Sequence, residues 1–305
     1  MPMDKKTETY NSMSKTAVKQ QLSLWSEFKT LTKFKLSMMV LMSSVLGYLV
    51  VAGFETSPLI LALLSVGGFL TTAAANILNQ VLEREYDGLM ERTKDRPLAA
   101  NRMKVSDAVL MAGISMVVGI GMLAFINPLT ALLGTLSLLS YAFVYTPLKR
   151  YSTASVAVGA IPGALPVLIG TCAFEGSLSV LGLTLFAIQF LWQFPHFWAI
   201  GWLSFEDYKK AGYKLLPMNE EGNIDNNIGL YSGIYALLLI PVCYLGFIND
   251  ARISMTMFIL SVVLSVAYLV FCVLLQKRKD RKSALGLMFS SFFYLPLILL
   301  VYLIF

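Results

Sequence analysis

Charge is scarce in this 305-residue chain: Asp, Glu, Lys and Arg together make up 14% of it, against about 25% in ordinary soluble domains. The chain is also 57% hydrophobic, with a mean hydropathy of +0.69. Together these exclude a soluble enzyme, a nucleic-acid binder and a disordered chain, because a water-soluble globule of this size could not hide so much apolar surface. Cysteine is scarce as well. Cys172, Cys243 and Cys272 are odd in number and lie inside apolar runs, which excludes a disulfide scaffold and reads as small core residues. The alternating segments of about ten residues that mark a transmembrane barrel are missing. What is present instead is a series of long apolar runs, and these specify an all-α, polytopic membrane protein.

A hydrocarbon core of about 30 Å takes roughly 20 apolar residues in a helix. Runs of that length are expected to span at 36–54, 58–80, 105–126, 128–146, 155–174, 178–203, 228–248, 254–276 and 284–305, a bundle of about nine helices. The cations orient it. Lys5, Lys6, Lys15, Lys19, Lys29, Lys33 and Lys35 precede the first span, the others gather at 84–104, 149–150, 209–214 and 277–282, and only Arg252 falls on the opposite side. The positive-inside rule then places the N-terminus in the cytoplasm and the C-terminus outside. The first 31 residues hold Asp4, Glu8 and Glu27 and no apolar stretch, unlike a cleaved signal or a transit peptide. The expectation is a bacterial plasma-membrane protein with a polar arm at 1–31 and one transmembrane domain at 32–305. Leu22, Leu24, Trp25, Phe28 and Leu31 in the arm fit either an interfacial helix or a solvated tail. The run at 277–282 reads as a topological anchor near anionic lipid.

Polar residues inside the spans carry the chemistry. Asn79, Glu83 and Asp87 stand at i, i+4 and i+8, which stacks them on one helical face. Asn76 lies one turn earlier within the apolar span, where a polar group is costly and usually faces a cavity. Two carboxylates and an amide are hard oxygen ligands suited to Mg²⁺, which takes a few protein oxygens plus substrate phosphate. Arg92, Lys94 and Arg96 follow at alternate positions, giving donors for phosphate oxygens. Lys149 and Arg150 follow Pro147, which is expected to end the fourth span. The sixth span reads Trp192-Gln193-Phe194-Pro195-His196-Phe197-Trp198, with the single histidine of the chain. This pattern reads as a cavity wall able to bind a flat aromatic ligand, ligate a haem iron or stabilise a carbocation. Glu206, Asp207, Lys209 and Lys210 repeat the mixture of acids and bases at the same membrane face, so a central cavity opening to the cytoplasm could join the two clusters. Glu55, Glu175, Asp250 and Arg252 are read as scattered over the external face.

These motifs resemble a known family. Asn79, Glu83 and Asp87 followed by MERTKDRPL at 90–98 resemble the first acidic signature of the UbiA-type intramembrane aromatic prenyltransferases, the 4-hydroxybenzoate polyprenyltransferase superfamily. YTPLKR at 145–150, WQFPHFW at 192–198 and DYKKAGYKLLP at 207–217 are similar, more narrowly, to its protohaem IX farnesyltransferase (haem O synthase) branch. The resemblance covers the chain from about residue 30. It implies farnesyl diphosphate and haem B as substrates, Mg²⁺ as cofactor, haem O and diphosphate as products, and a haem A synthase or terminal-oxidase assembly factor as partner in the bilayer. By position it implies Asn79, Glu83, Asp87 and Asp207 as metal ligands, and Arg92, Arg96, Lys149, Arg150 and Lys210 as diphosphate contacts. Asn79, Glu83, Asp87 and Lys149 would be catalytic, with His196, Trp192 and Trp198 on the haem side. Two positions depart from the pattern: Glu83 stands where many members have Asp, and Asp207 is followed four residues later by Ala211. Rival readings are a quinone-precursor prenyltransferase, a transporter, which would need polar groups continuing to the external side where this sequence is nearly bare, and a non-catalytic haem chaperone, which would leave the acids at 83 and 87 idle.

Overall fold

The computed structural model describes residues 23–305, so the start of the predicted arm, with Lys5, Lys6, Lys15, Lys19 and Leu22, lies outside the described residues. Long apolar runs bury no water with their backbone, so each peptide group must pair within its own segment, and helices result. The short α1 (Leu24–Leu31) begins at Ser23, whose side chain accepts from the Ser26 amide. It exposes Leu24 and Trp25 and buries Leu31, so residues 24–31 form a helix with an outward apolar edge. There follow α2 (Phe34–Ala52), α3 (Pro58–Asp87), α4 (Val105–Ile126), α5 (Pro128–Leu139) and α6 (Thr146–Leu148). The series ends with α7 (Ser155–Glu175), α8 (Val180–Leu203), α9 (Phe205–Lys210), α10 (Ile228–Asn249), α11 (Met255–Arg278) and α12 (Arg281–Ile304). Among the described residues nine helical segments are long and apolar enough to cross a membrane, at the nine expected places.

Sequential helices pair from α2 to α5, α5 continues onto α7, and α12 closes the bundle against α2. Within it, α7 is the most enclosed span and packs on α2, α5 and α8. Its approach to α2 needs a glycine, because a Cβ at Gly170 would stand 2.8 Å from the Tyr48 backbone nitrogen. Pro162 and Pro166 lie inside α7, and the Pro162 carbonyl, which no amide at 166 can satisfy, accepts from Ser137 Oγ at 3.3 Å.

Two boundaries differ from the expected ones, and both shape the site. First, α3 runs 30 residues to Asp87, past the apolar span expected at 58–80 and through the helical face expected for Asn79, Glu83 and Asp87. Hydropathy stops at the polar turns, but the helical ladder does not, and at 1.5 Å per residue the last two turns carry Gln80, Glu83 and Asp87 inward rather than into solvent. Second, Pro147 does not end its helix at once. A π-helical turn spans Ser140–Tyr145, and the Thr146 amide and hydroxyl both donate to the Tyr141 carbonyl, so α6 holds Pro147 in its only full turn. Such bulges re-aim side chains at functional sites.

The charges expected on the external face are gathered rather than scattered. Arg252 donates to Asp250 at 2.9 Å and 2.7 Å and to Glu175 at 2.6 Å, and Asp250 also accepts from the Leu181 amide. The cluster ties the α7–α8 turn to the α10–α11 turn, and Glu55 takes no part in it. Hydrogen bonds from Arg252 hold the Asp250 carboxyl below the usual carboxylate range. A depressed carboxylate contributes stability above its unfolded value of about 3.9 and loses it as pH falls through the folded value. Arg252→Gln should therefore lower the melting temperature of the purified protein at neutral pH. The deficit should close on acidification below about pH 4, and a deficit that stays constant down to pH 3 would contradict the clamp.

Candidate functional site at the end of α3

The polar end of α3 is enclosed by three other segments. Asn79, Glu83 and Asp87 lie on its buried face, at 0%, 5% and 1% exposure, and each has a cation. Lys33 Nζ donates to Asn79 Oδ1 at 2.6 Å, Lys149 pairs with Glu83, and Arg96 makes two bonds of 2.8 Å to the Asp87 carboxylate. The Asn79 amide donates to Glu83 Oε2 at 3.0 Å and to Thr146 Oγ1 at 2.9 Å, joining α3 to α6. Glu83 Oε1 is ion-paired with Lys149 yet carries no aligned hydrogen bond.

Lys33 was counted in the sequence only as an orientation charge. It sits between α1 and α2 with φ of 48°, a left-handed conformation that is strained for a non-glycine residue, and this turn aims its amine inward. Burial pushes the Lys33 ammonium well below its ordinary range, and the charge of Arg96 adds to that. Tyr213 is the second residue the sequence reading missed. Gly212, at φ of 71°, turns the loop after α9, and the Lys214 amide donates to the Lys149 carbonyl at 2.7 Å. The Tyr213 ring then lies 5.3 Å from Lys149 Nζ. Its hydroxyl is buried against Glu83 with no well-aligned hydrogen bond, and burial pushes the phenol up.

Other predicted residues stand further off. The Arg150 guanidinium covers the Tyr86 ring at 4.2 Å, at the rim. Arg92 is exposed and stacks over Tyr208 at 6.0 Å. Asp207 faces only Lys210, at 4.0 Å, and Lys210 itself is exposed, so neither joins the carboxylates of α3. The loop after α8 does reach the chamber, but it delivers Tyr213 rather than Asp207.

Below this chamber lies a cavity of about 270 Å³. Tyr141 links the two: it accepts from Lys33 at 3.3 Å and donates to Asn76 Oδ1 at 3.4 Å, and both Tyr141 and Asn76 line the cavity. The opposite wall is α8, which contributes Gln189, Trp192, Gln193 and His196. Trp192 and His196, four residues apart, share a face and stack at 4.7 Å with 16° between planes. Trp198 does not line the cavity. Six residues beyond Trp192 it points about 120° away around the axis, and it packs against Tyr231 and Tyr235 of α10.

The donor set fits Mg²⁺. Two carboxylates and the Asn79 oxygen are hard ligands on one face, and Glu83 Oε1 has a lone pair to give. Among the described residues no three His, Cys, Asp or Glu side chains converge on a metal position, so ligand oxygens must complete the coordination. Arg96 and Lys149 balance the two carboxylates, and Lys33, whose charged form burial disfavours and an entering anion would restore, adds a third basic group that favours an anion there.

The sequence profile of the UbiA prenyltransferase family matches residues 40–295. A protoheme IX farnesyltransferase of Christiangramia forsetii is 41% identical over 297 residues, 95% of this chain and 97% of its own length. The enzyme of that name in Flavobacterium psychrophilum is 40% identical over 287 residues, 92% of this chain and 95% of its own. Among solved structures, digeranylgeranylglyceryl phosphate synthase aligns with a TM-score of 0.77 at 19% identity, over 93% of this chain and 98% of the other. A UbiA homolog from Archaeoglobus fulgidus bound to GPP and Mg²⁺ aligns with a TM-score of 0.59 at 17% identity, over 90% and 99%.

Proposed function

The chain belongs to the UbiA prenyltransferase family, and on that premise we propose that it transfers a farnesyl group from farnesyl diphosphate to a vinyl group of protohaem IX. Water addition completes the product, haem O, which serves haem–copper oxidase assembly. The observation that carries this reading is the placement of an anion-attracting chamber directly above a mostly apolar cavity whose far wall holds the single histidine. The names of the relatives support the same reading.

In the reaction the C1–O bond of farnesyl diphosphate breaks and its electron pair leaves with the diphosphate. The vinyl group attacks C1, and water adds to the resulting cation with release of a proton. Charge builds on the leaving group, so preorganised positive charge there lowers the barrier. Lys149 and Arg96 supply it from the protein, Lys33 adds to it once an anion restores its charge, and the Tyr213 hydroxyl beside Glu83 is placed to donate to the same anion. Asn79, Glu83 and Asp87 would hold Mg²⁺, which when bound neutralises the diphosphate as a Lewis acid. Tyr145, which also lines the cavity, stands with Trp192 and Phe197 around the carbocation side. Their rings exclude water and present negative faces to a cation. Arg150 and Arg92 serve the rim of the chamber rather than its centre.

We place the protein in a bacterial plasma membrane, N-terminus inside, with the chamber at the cytoplasmic face. The reading is tested by supplying radiolabelled farnesyl diphosphate and Mg²⁺ to membranes containing the protein, with haem B or with a hydroxybenzoate. Label is expected on the haem; label on the hydroxybenzoate alone would replace haem by a quinone precursor.

A further inference from the structure

His196 has one ring nitrogen engaged and one open. Resting on the haem reading above, we propose that Ser291 locks His196 in the tautomer with hydrogen on Nδ1, and so presents a bare Nε2 to the cavity as the axial ligand of the haem iron.

Hydroxyl arithmetic decides the tautomer. Ser291 Oγ donates to the Met288 carbonyl at 2.5 Å, one turn back along α12. A serine hydroxyl has a single proton. At the 2.7 Å contact with His196 Nδ1 the oxygen therefore accepts, and Nδ1 carries the hydrogen. In a neutral imidazole the other nitrogen then keeps its lone pair. Among the described residues no donor reaches Nε2, and with the Nδ1 edge turned to α12, the other edge remains for the cavity that His196 lines.

The ring is also fixed in plane. Trp192 stacks on it, Phe292 meets it edge-on at 5.3 Å, and Trp192 is itself held by a 3.0 Å bond from its indole nitrogen to the Ser291 carbonyl. One residue thus holds both rings, the histidine by its side chain and the tryptophan by its backbone. A metal-binding histidine needs this kind of partner, because donating its second nitrogen fixes the orientation and raises the basicity of the first. The rings in contact with His196 are Trp192, Phe197 and Phe292. They make the immediate surroundings of the imidazole apolar. Ser291 is a positioning residue here.

The test is resonance Raman spectroscopy of the full-length protein loaded with haem B and reduced. The wild type is expected to show an iron–histidine stretch. Ser291→Ala should shift that band to lower frequency and weaken haem affinity by about 10- to 100-fold, the usual effect of losing such a partner. His196→Gly should lack the band until free imidazole is added. A wild-type protein that binds and farnesylates haem without this band would overturn the inference while leaving the haem reading intact. An unchanged band in Ser291→Ala would also overturn it. Failure of the wild type to bind haem B at all would overturn both.

Discussion

Asp87→Asn is expected to lower farnesyl transfer by about 10²-fold or more. Asp87 is 1% exposed and receives two bonds from Arg96, so the substitution keeps the shape and removes the charge. Two consequences follow at one point. The chamber loses one of the two carboxylates able to hold Mg²⁺, and Arg96 loses the partner that aims it. Both act on the leaving diphosphate, where removing one preorganised stabilising group typically costs about 10²- to 10³-fold. The check is turnover in proteoliposomes at matched protein, with a denaturation midpoint measured alongside. Near-wild-type turnover in a folded Asp87→Asn protein would contradict the assignment of α3.

Lys149→Met is expected to destabilise the fold as well as abolish activity. Glu83 is 5% exposed and ion-paired with Lys149. Removing one partner of such a pair leaves an uncompensated buried charge, at a cost of about 3–5 kcal/mol. The low end applies, because Asn79 still donates to the other Glu83 oxygen. The double variant Glu83→Gln/Lys149→Met removes both charges and should recover most of the stability, yet none of the turnover. Chemical denaturation in bicelles together with a transfer assay separates the two effects. If the double variant is no more stable than Lys149→Met, the pair is not what holds α3 to α6.

Much of this was legible in the amino acids because hydropathy and helical spacing are local properties. The nine spans follow from apolar runs, and Asn79, Glu83 and Asp87 share a face because four residues return a helix to nearly the same direction. Counting apolar residues ends the membrane span near 80, and it is the i, i+4, i+8 spacing that carries the helix on to Asp87. Where the reading assumed that a cluster of tryptophans acts together it placed Trp198 in the wall, although six residues carry a side chain round to α10. The pairing of Asp207 with the acids of α3 rested on a likeness between two loops. The loop geometry instead brings Tyr213, through Gly212, to Lys149. Lys33, Tyr213 and Ser291 were invisible for a common reason: each acts on a residue tens of positions away, and no spacing rule reaches that far.

The central claim is that haem B is the acceptor of a farnesyl group, and mass spectrometry of haems extracted from membranes tests it most directly. Membranes of a host lacking haem O, compared with and without this protein, should differ by one new species. That species should be haem B heavier by a farnesyl group and one water, and sharply reduced when Asp87→Asn replaces the wild type. Unmodified haem B alone in both membranes, with the wild-type protein present and folded, would contradict the account.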